Sequence, residues 1–392
     1  MSQWMISEDK LSEEQRQFID VEMVKNNNIW IKGFAGSGKS ILLIHGIHDL
    51  VRKNKDVRIC IIVFTNSLKQ LFIAGLRELN IPNDNVYICT YHQFKNDNYS
   101  FDYIFCDEVQ DLPKSVLEKM KLNAKQVITG GDSNQSIYEN DPQTKEPTVT
   151  SAEISNVLNA TAWDLNTIYR LTKSVIKTIS SLLPSMNILS SKTDNTKKDV
   201  TPILGNASNK SKEVEYIISK SQDAIEVDEN VVIILPTHNA IIEFMNTVLE
   251  LKNKNAWDIN DRNNQNNWGR PDFGKLNQYL TSCQLDIEYI GNGYGNLYES
   301  GQKGKIIVMT YHSSKGLDFD NVFLPFLNSE NEFGYFNETL FMVGMTRSKF
   351  ALQLTYSGTM HKFVKTIKND CTEINLDKIT NDENNSDDDF DF

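Results

Sequence analysis

The chain has 392 residues, of which 40% are hydrophobic, and its 40 basic and 52 acidic side chains give a formal net charge of −12 at pH 7. This length predicts two or three domains with a substantial core, and the sequence contains no apolar run long enough to span a membrane. The N-terminus lacks the basic and apolar regions of a signal peptide. The five cysteines are scattered without a C-x-x-C pair, which favours buried thiols and predicts a reduced, cytoplasmic protein.

The acidic balance argues against an extensive basic surface for nucleic acid. Its distribution weakens that argument, because six acids and no base lie among the last eleven residues, 382–392. Net charge says little about one local groove, so nucleic acid stays open as a partner.

The first chemical motif is a glycine-rich loop between a predicted strand, Ile29–Lys32, and an amphipathic helix that begins near Ser40. The loop fits the pattern G-x-x-x-x-G-K-[ST], and this context distinguishes it from an ordinary glycine-rich turn. Its backbone amides would surround a polyphosphate, its lysine would reach the β- and γ-phosphates, and its last hydroxyl would bind Mg²⁺. The residues expected to bind ATP here are Gly33, Gly36, Ser37, Gly38, Lys39 and Ser40.

A second motif, Asp107-Glu108-Val109-Gln110-Asp111, directly follows a predicted buried strand, Tyr103–Cys106. Asp107 is placed to hold Mg²⁺, and Glu108 is placed to orient and deprotonate the water that attacks the γ-phosphate. Acidic clusters are commonly solvated surface, but this one emerges from an apolar strand downstream of a phosphate loop. The two motifs together predict a Mg²⁺-dependent ATP hydrolase.

Short apolar strands alternate with helical stretches along the chain, which predicts a parallel α/β fold. The strands fall into two groups, before and after about residue 160, and so predict two α/β lobes. Several end in polar clusters, where open α/β sheets bind their ligands. The predicted strands are Ile29–Lys32, Arg58–Phe64, Tyr103–Cys106, Gln126–Thr129, Val231–Leu235, Lys305–Met309, Val322–Phe326 and Leu352–Thr355.

The tripeptide Thr-Tyr-His occurs twice, at residues 90–92 and 310–312, once in each predicted lobe and each time after an apolar strand. Each histidine alone could be a satisfied structural residue. The duplication favours a hydroxyl–aromatic–imidazole set that grips a nucleic-acid backbone.

The order of these motifs resembles the UvrD/Rep-type branch of superfamily 1 helicases, from about residue 11 to residue 356. The resemblance implies two RecA-like P-loop NTPase lobes with parallel sheets, residues 1–162 and 163–375, and an acidic, disordered C-terminal tail, 376–392. It implies ATP and Mg²⁺ as ligands and single-stranded DNA as partner.

Individual roles also follow from the resemblance. Gln15 would read the adenine edge, although Ser12 and Gln15 also fit a capping box for the first helix. Tyr169 would stack on adenine, and Gln135 would sense the γ-phosphate. Asp318, within the motif that resembles the second-lobe DNA motif, is implied to bind nucleotide together with Gln15 and Tyr169. The implied catalytic residues are Glu108, Gln135, Arg170 and Arg347. The implied nucleic-acid-binding residues are Phe64, Thr65, Asn66, Thr90, His92, Tyr138, Thr310 and His312.

Two segments are shorter than in full-sized relatives. Only seven residues, Lys95 to Phe101, stand where relatives insert one accessory domain, and about fifty, Lys252 to Gly304, stand where a second is expected. The sequence therefore predicts a motor core with absent or reduced accessory domains. The resemblance implies an ATP-dependent single-stranded DNA translocase or helicase that moves 3′ to 5′, and it leaves open whether strand separation requires a partner.

Three alternatives remain at this point. The chain could be an ATPase regulatory subunit of a DNA-repair or phage-defence complex, acting with a nuclease or a single-stranded DNA-binding protein. A small-molecule kinase would leave the second-lobe arginines and both Thr-Tyr-His segments without purpose. RNA could replace DNA, since stacking and phosphate contacts do not sense a 2′-hydroxyl.

The tail residues Asn384–Phe392 resemble the acidic, Phe-terminated tip of bacterial single-stranded DNA-binding proteins, which docks partner proteins. The alternative is a disordered tail that only increases solubility.

Overall fold

The structure is a computed structural model that describes residues 4–82, 84–142, 144–329 and 336–378. These form two compact units. The N-terminal unit comprises residues 4–170 with Ser190–Lys197, and the C-terminal unit comprises Leu171–Leu189 with residues 198–378. Each is built on a parallel sheet accompanied by helices, which confirms the predicted α/β fold class. No helix within the described residues is both long and apolar enough to cross a membrane. The tail hypothesis for Asn384–Phe392 concerns residues outside those described.

The N-terminal unit contains a six-stranded parallel sheet in the order β3-β2-β4-β5-β1-β6. Its strands are β1 (Ile29–Gly33), β2 (Ile59–Val63), β3 (Val86–Thr90), β4 (Phe101–Cys106), β5 (Ala124–Gly131) and β6 (Thr161–Leu165). Its helices are α1 (Glu13–Gln17), α2 (Lys39–Lys53), α3 (Asn66–Glu78), α4 (Tyr91–Asn96), α5 (Lys114–Asn123) and α6 (Ser151–Leu158). Two short strands, β7 (Thr167–Ile168) and β8 (Lys192–Thr193), pair in parallel as a separate two-stranded sheet.

Burial on both faces explains the composition of the central strands. All five residues of β2 are buried, and such strands read as continuous apolar runs. The edge strand β6 is mostly exposed. The sequence predicts the boundary between the lobes at residues 162 and 163, which lie inside β6, a strand that pairs with β1.

The C-terminal unit contains a seven-stranded parallel sheet in the order β11-β12-β10-β13-β14-β9-β15. Its strands are β9 (Ile203–Ala207), β10 (Val231–Leu235), β11 (Ile287–Tyr289), β12 (Ile306–Thr310), β13 (Phe319–Leu324), β14 (Ser348–Ser357) and β15 (Thr372–Asn375). Its helices are α7 (Lys173–Leu182), α8 (Lys210–Glu226), α9 (His238–Leu251), α10 (Phe273–Ser282), α11 (Leu297–Gln302), α12 (Glu338–Met345) and α13 (Lys362–Ile367).

All eight predicted strands are present, with bounds shifted by a few residues. The segment 252–304, expected as the remnant of an accessory domain, supplies α10, β11 and α11, so part of it belongs to the sheet itself. The sequence did not predict β11, because its three residues are too few to display a period.

One carboxylate lies inside the core of the C-terminal unit. Glu213, on α8, is fully buried, and its Oε1 accepts hydrogen bonds from the Phe326 amide at 2.8 Å and the Thr355 hydroxyl at 2.7 Å. Burial raises the pKa of Glu213 above its ordinary value, although these two bonds oppose the shift.

Candidate active site

The phosphate loop connects β1 to α2 in the N-terminal unit. Gly36 and Gly38 have φ of 76° and 87°, a conformation in which glycine avoids the strain of a side chain. A Cβ at Gly36 would lie 2.4 Å from the Cβ of Arg170. The pattern of glycines is therefore required by the backbone of the loop and by its close approach to residue 170.

Lys39, the first residue of α2, lies within this loop. Its Nζ donates to the carbonyls of Gly33 at 2.7 Å and Phe34 at 3.1 Å. Burial lowers the pKa of Lys39, and the nearby carboxylates, Asp132 first, oppose that shift. An ammonium placed among loop carbonyls and carboxylates is positioned to interact with an anionic ligand of the loop.

Ser37 is a residue of the loop itself. Its amide donates to the Phe34 carbonyl at 3.2 Å, and its buried hydroxyl has no hydrogen-bond partner among the described residues. A Cβ at Gly33 would lie 2.4 Å from that hydroxyl. A buried, unpaired hydroxyl is costly, and glycine at position 33 leaves the space that this hydroxyl occupies.

Ser40 and Asp107 form the candidate metal pair. The Ser40 hydroxyl donates to Asp107 Oδ2 at 2.5 Å, and burial together with the neighbouring Glu108 raises the pKa of Asp107 to about 6. No group of three or more His, Cys, Asp or Glu side chains suited to a metal occurs among the described residues. This oxygen pair fits Mg²⁺, which commonly takes one or two protein ligands and completes its shell with phosphate and water.

Glu108 belongs to a chain of hydrogen bonds that joins the end of β4 to the end of β5. Gln110 Nε2 donates to Glu108 Oε2 at 2.6 Å, and Gln110 Oε1 accepts from the Asp132 amide at 3.1 Å. Asp132 Oδ2 in turn accepts from Gln135 Nε2 at 2.7 Å. A Cβ at Gly131 would lie 2.5 Å from Gln110 Oε1, so only glycine allows this approach. The structure thus brings the predicted base and the predicted γ-phosphate sensor together.

Gln110 had no role in the sequence prediction. It is almost fully buried, and both ends of its amide are used in the chain of hydrogen bonds. The position of Gln110 within the acidic motif indicated that it lies near the site. Its bond to the Asp132 amide could not be predicted, because the two residues are distant in sequence.

Gln15 lies beside the phosphate loop and also forms the capping box that the sequence left as an alternative. Its Oε1 accepts from the Ser12 amide at 3.0 Å, and its amide donates to the Ser12 hydroxyl at 3.2 Å. Its Nε2 lies 2.7 Å from where a Cβ at Gly38 would be. The capping box therefore fixes the Gln15 amide next to the loop.

Tyr169 and Arg170 also lie at the phosphate loop. Their amides donate to the Gly36 carbonyl at 2.9 and 3.3 Å. The sequence placed both residues at the opening of the second lobe, whereas the structure places them within the N-terminal unit.

Two aromatic residues that were expected to stack on bases pack against other rings. The centroid of the Phe64 ring lies 5.1 Å from that of Tyr91, nearly parallel to it, and 5.0 Å from that of Tyr138. The His92 ring lies 3.8 Å from the Tyr91 ring, and burial lowers the pKa of His92. The structure therefore groups Phe64, Tyr138 and His92 into one aromatic cluster.

Three predicted nucleic-acid-binding threonines cap helical turns. The Thr65 hydroxyl accepts from the Leu68 amide at 3.1 Å, and the Thr90 hydroxyl accepts from the Gln93 amide at 3.4 Å. Asn66, which follows Thr65, is exposed at the start of α3. In the C-terminal unit, Thr310 caps the turn after β12 through the Ser313 amide.

The C-terminal unit holds the other predicted residues. The Arg347 guanidinium is buried and donates to the carbonyls of Val343 at 2.9 Å and Leu317 at 3.0 Å. Asp318 pairs with Lys349 at 3.0 Å. Burial lowers the pKa of His312, and the positive charge of the nearby Lys315 lowers it further.

A parallel sheet, a phosphate loop at the end of β1, a serine–aspartate pair and an adjoining glutamate define a P-loop nucleotide hydrolase. The sequence matches the family model described as the viral superfamily 1 RNA helicase core domain over residues 29–268. The chain belongs to this family of superfamily 1 helicase cores. It is an ATP-hydrolysing enzyme of the helicase class, as the sequence predicted. The match identifies the chain as a superfamily 1 helicase core. It does not establish that the chain belongs to the UvrD/Rep branch.

Solved helicase structures are also similar to this chain. An arterivirus nonstructural protein 10 helicase in complex with DNA has 14% identity and a TM-score of 0.43 over 88% of this chain and 63% of that chain. A structure of two Pif1 helicases at forked double-stranded DNA has 14% identity and a TM-score of 0.42 over 88% of this chain and 92% of that chain. The present chain thus spans less than two thirds of the arterivirus helicase. Among curated proteins, no sequence match was found.

Proposed function

We propose that this chain couples ATP hydrolysis to movement along single-stranded nucleic acid, as a translocase or helicase. The observation that carries the proposal is the hydrogen-bonded chain from Glu108 through Gln110 and Asp132 to Gln135. It ties the residue expected to activate water to a loop expected to respond to the γ-phosphate. Through these bonds, a movement of that loop would change the position of the Glu108 carboxylate, and loop movements of this kind gate many enzymes.

The residues of the phosphate loop would hold ATP, with Lys39 neutralising its phosphates. Ser40 and Asp107 would hold Mg²⁺, which offsets negative charge on the phosphoryl oxygens when bound. Glu108 orients the attacking water and accepts its proton. Gln110 holds the Glu108 carboxylate in position by its 2.6 Å hydrogen bond.

Arg170 and Arg347 are proposed to stabilise charge on the transferred phosphoryl group. The backbone of Arg170 already contacts the phosphate loop through the Gly36 carbonyl, and Tyr169 is proposed to stack on adenine. In the proposal, Asp318 responds to nucleotide from the C-terminal unit.

Nucleic acid is proposed to bind at the carboxyl ends of the strands in each unit. His92 and the Phe64–Tyr138 cluster would contribute in the N-terminal unit, and Thr310 and His312 in the C-terminal unit. DNA and 3′ to 5′ movement follow from the UvrD/Rep resemblance. The DNA-bound arterivirus and Pif1 helicases agree with DNA as ligand, whereas the matched family model is described as an RNA helicase core.

The first test is steady-state ATP hydrolysis with no nucleic acid, with single-stranded DNA and with single-stranded RNA. We expect stimulation by a single strand, greater for DNA, and its loss in Lys39→Ala and Glu108→Gln. Displacement of streptavidin from biotin at the 3′ or the 5′ end then measures direction. Hydrolysis indifferent to every strand would refute the motor and favour the regulatory-subunit alternative, whose action would depend on a protein partner.

A further inference from the structure

An exposed tryptophan lies on a tight turn in the C-terminal unit, between α9 and α10. Trp268 is 82% exposed, although aromatic side chains of this size are usually well buried. We call residues 266–270 the Trp268 turn. The turn lies within Lys252–Gly304, one of the two segments that are shorter here than in full-sized relatives.

The turn is closed by its own hydrogen bonds. The Asn266 side-chain oxygen accepts from the amides of Trp268 at 2.9 Å and Arg270 at 3.1 Å. The Asn266 amide donates to the Arg270 carbonyl at 2.8 Å. Gly269 has a φ of 70° and supplies the left-handed residue of the turn. The backbone that carries the indole is therefore ordered by local bonds.

The base of the turn is fixed to the rest of the unit. Gln265 and Pro271 pair as an antiparallel bridge, and Lys275 on α10 donates to the Gln265 carbonyl at 2.8 Å. Upstream, the Trp257 backbone exchanges two hydrogen bonds with the Asn246 side chain on α9. Because the turn is held in place, Trp268 could contact a ligand with little further ordering cost.

The residues around Trp268 are rich in amides and include two arginines. Residues 262–271 contain two arginines, four asparagines and no acid, in a chain of net charge −12. The flanking carboxylates cap the backbone: Asp261 accepts from the Asn263 amide at 2.9 Å, and Asp272 accepts from the Gly274 amide at 2.9 Å. Both Arg262 and Arg270 are exposed, and within the described residues neither forms an ion pair with a carboxylate.

We propose that the Trp268 turn is a nucleobase-stacking site for single-stranded nucleic acid. The indole stacks on a base, and Arg262 and Arg270 contact the phosphates on either side. This inference rests on the proposed function and adds a surface that none of the sequence motifs contains. Single strands are recognised by such a combination of aromatic platforms and positive charge.

The surroundings favour nucleic acid over a protein partner. In protein interfaces an aromatic hot spot lies in a well-packed, desolvated centre, surrounded by further contacts that exclude water. Between Lys252 and Gly304, the large apolar side chains exposed among the described residues are Trp268 and, to a much smaller extent, Tyr298 at 37%. A single indole among amides and guanidinium groups suits a base and its phosphates better.

The test measures the anisotropy of a fluorescein-labelled, mixed-sequence DNA strand titrated with the full chain. Trp268→Ala should raise Kd about 5- to 150-fold, the effect of losing one base–aromatic stack. Trp268→Phe should recover most of the affinity, because a smaller ring still stacks. Arg270→Gln should weaken binding and reduce the salt dependence of binding by about one phosphate contact. Leu122→Ala is the matched control, since Leu122 is 83% exposed in the other unit and should leave Kd unchanged.

Thermal unfolding should show the same midpoint for wild type and Trp268→Ala, because the side chain is exposed. Equal Kd values for these two proteins would overturn the stacking site while leaving the proposed function standing. Equal losses in Trp268→Ala and Trp268→Phe would also overturn it, because stacking requires only a ring. A wild-type chain that binds neither DNA nor RNA would instead refute the proposed function.

Discussion

Replacing Gln110 by alanine should slow hydrolysis without much change in ATP binding. The substitution removes the 2.6 Å hydrogen bond to Glu108 and the 3.1 Å bond from the Asp132 amide. A hydrogen bond to a charged group contributes about 1.5–3 kcal/mol. If that amount is lost from positioning of the base, kcat falls about 10- to 150-fold. Glu108→Gln removes the base itself and should cost more, about 10²- to 10⁴-fold.

Steady-state kinetics over a range of ATP concentrations separate these effects. KM for ATP should change less than kcat, because neither lost bond involves the phosphate loop. Gln126→Ala is the matched control: Gln126 is also buried in the N-terminal unit, and its amide donates to the carbonyls of Met23 and Asn27. This control should lower the free energy of unfolding and leave kcat unchanged. An unchanged kcat in Gln110→Ala, or an equal fall in both variants, would refute the positioning role.

Three further outcomes are expected. Gly36→Ala should abolish ATP binding in calorimetry, because its Cβ would lie 2.4 Å from that of Arg170 at a φ of 76°. Glu213→Gln should flatten the pH dependence of urea unfolding: burial raises the folded-state pKa above the ordinary 4.5, so the folded wild type binds more protons and loses stability as pH rises through that window. His92→Ala and His312→Ala should each raise Kd for single-stranded DNA by about 2- to 10-fold, the effect of one lost hydrogen bond. This effect should be equal at pH 7 and pH 8, because burial lowers both imidazole pKa values.

The central strands were predictable because they are buried on both faces. β2 and β10 are buried at every position, so each reads as an uninterrupted apolar run. The edge strands β6 and β15 carry mostly exposed side chains and offer no such run. Their place in the sheet is fixed by pairing with neighbours far away in sequence, which a local pattern cannot indicate.

In the candidate site, too, the residues that are contiguous in sequence were predictable, whereas contacts between distant residues were not. The phosphate loop and the Asp107–Glu108 pair are contiguous in sequence, so their chemistry can be identified from the residues alone. The bridge made by Gln110 depends on two strand ends meeting, with glycine at position 131. The Phe64 ring could equally have faced a base or another side chain, and the structure shows it against two tyrosines.

Helix capping accounts for part of what resembles a binding motif. In a parallel α/β sheet the helices and turns that follow the strands begin at the same edge as the ligands, so their capping residues lie there too. Thr90 and Thr310 both accept a hydrogen bond from the third residue ahead, and the tyrosine after each is buried. Folding alone therefore explains two residues of the repeated Thr-Tyr-His. The histidine stays partly exposed in both copies, although the His92 ring packs on Tyr91. Nucleic-acid binding by the two histidines stays a prediction, and substitution of the threonines should affect stability as well as affinity.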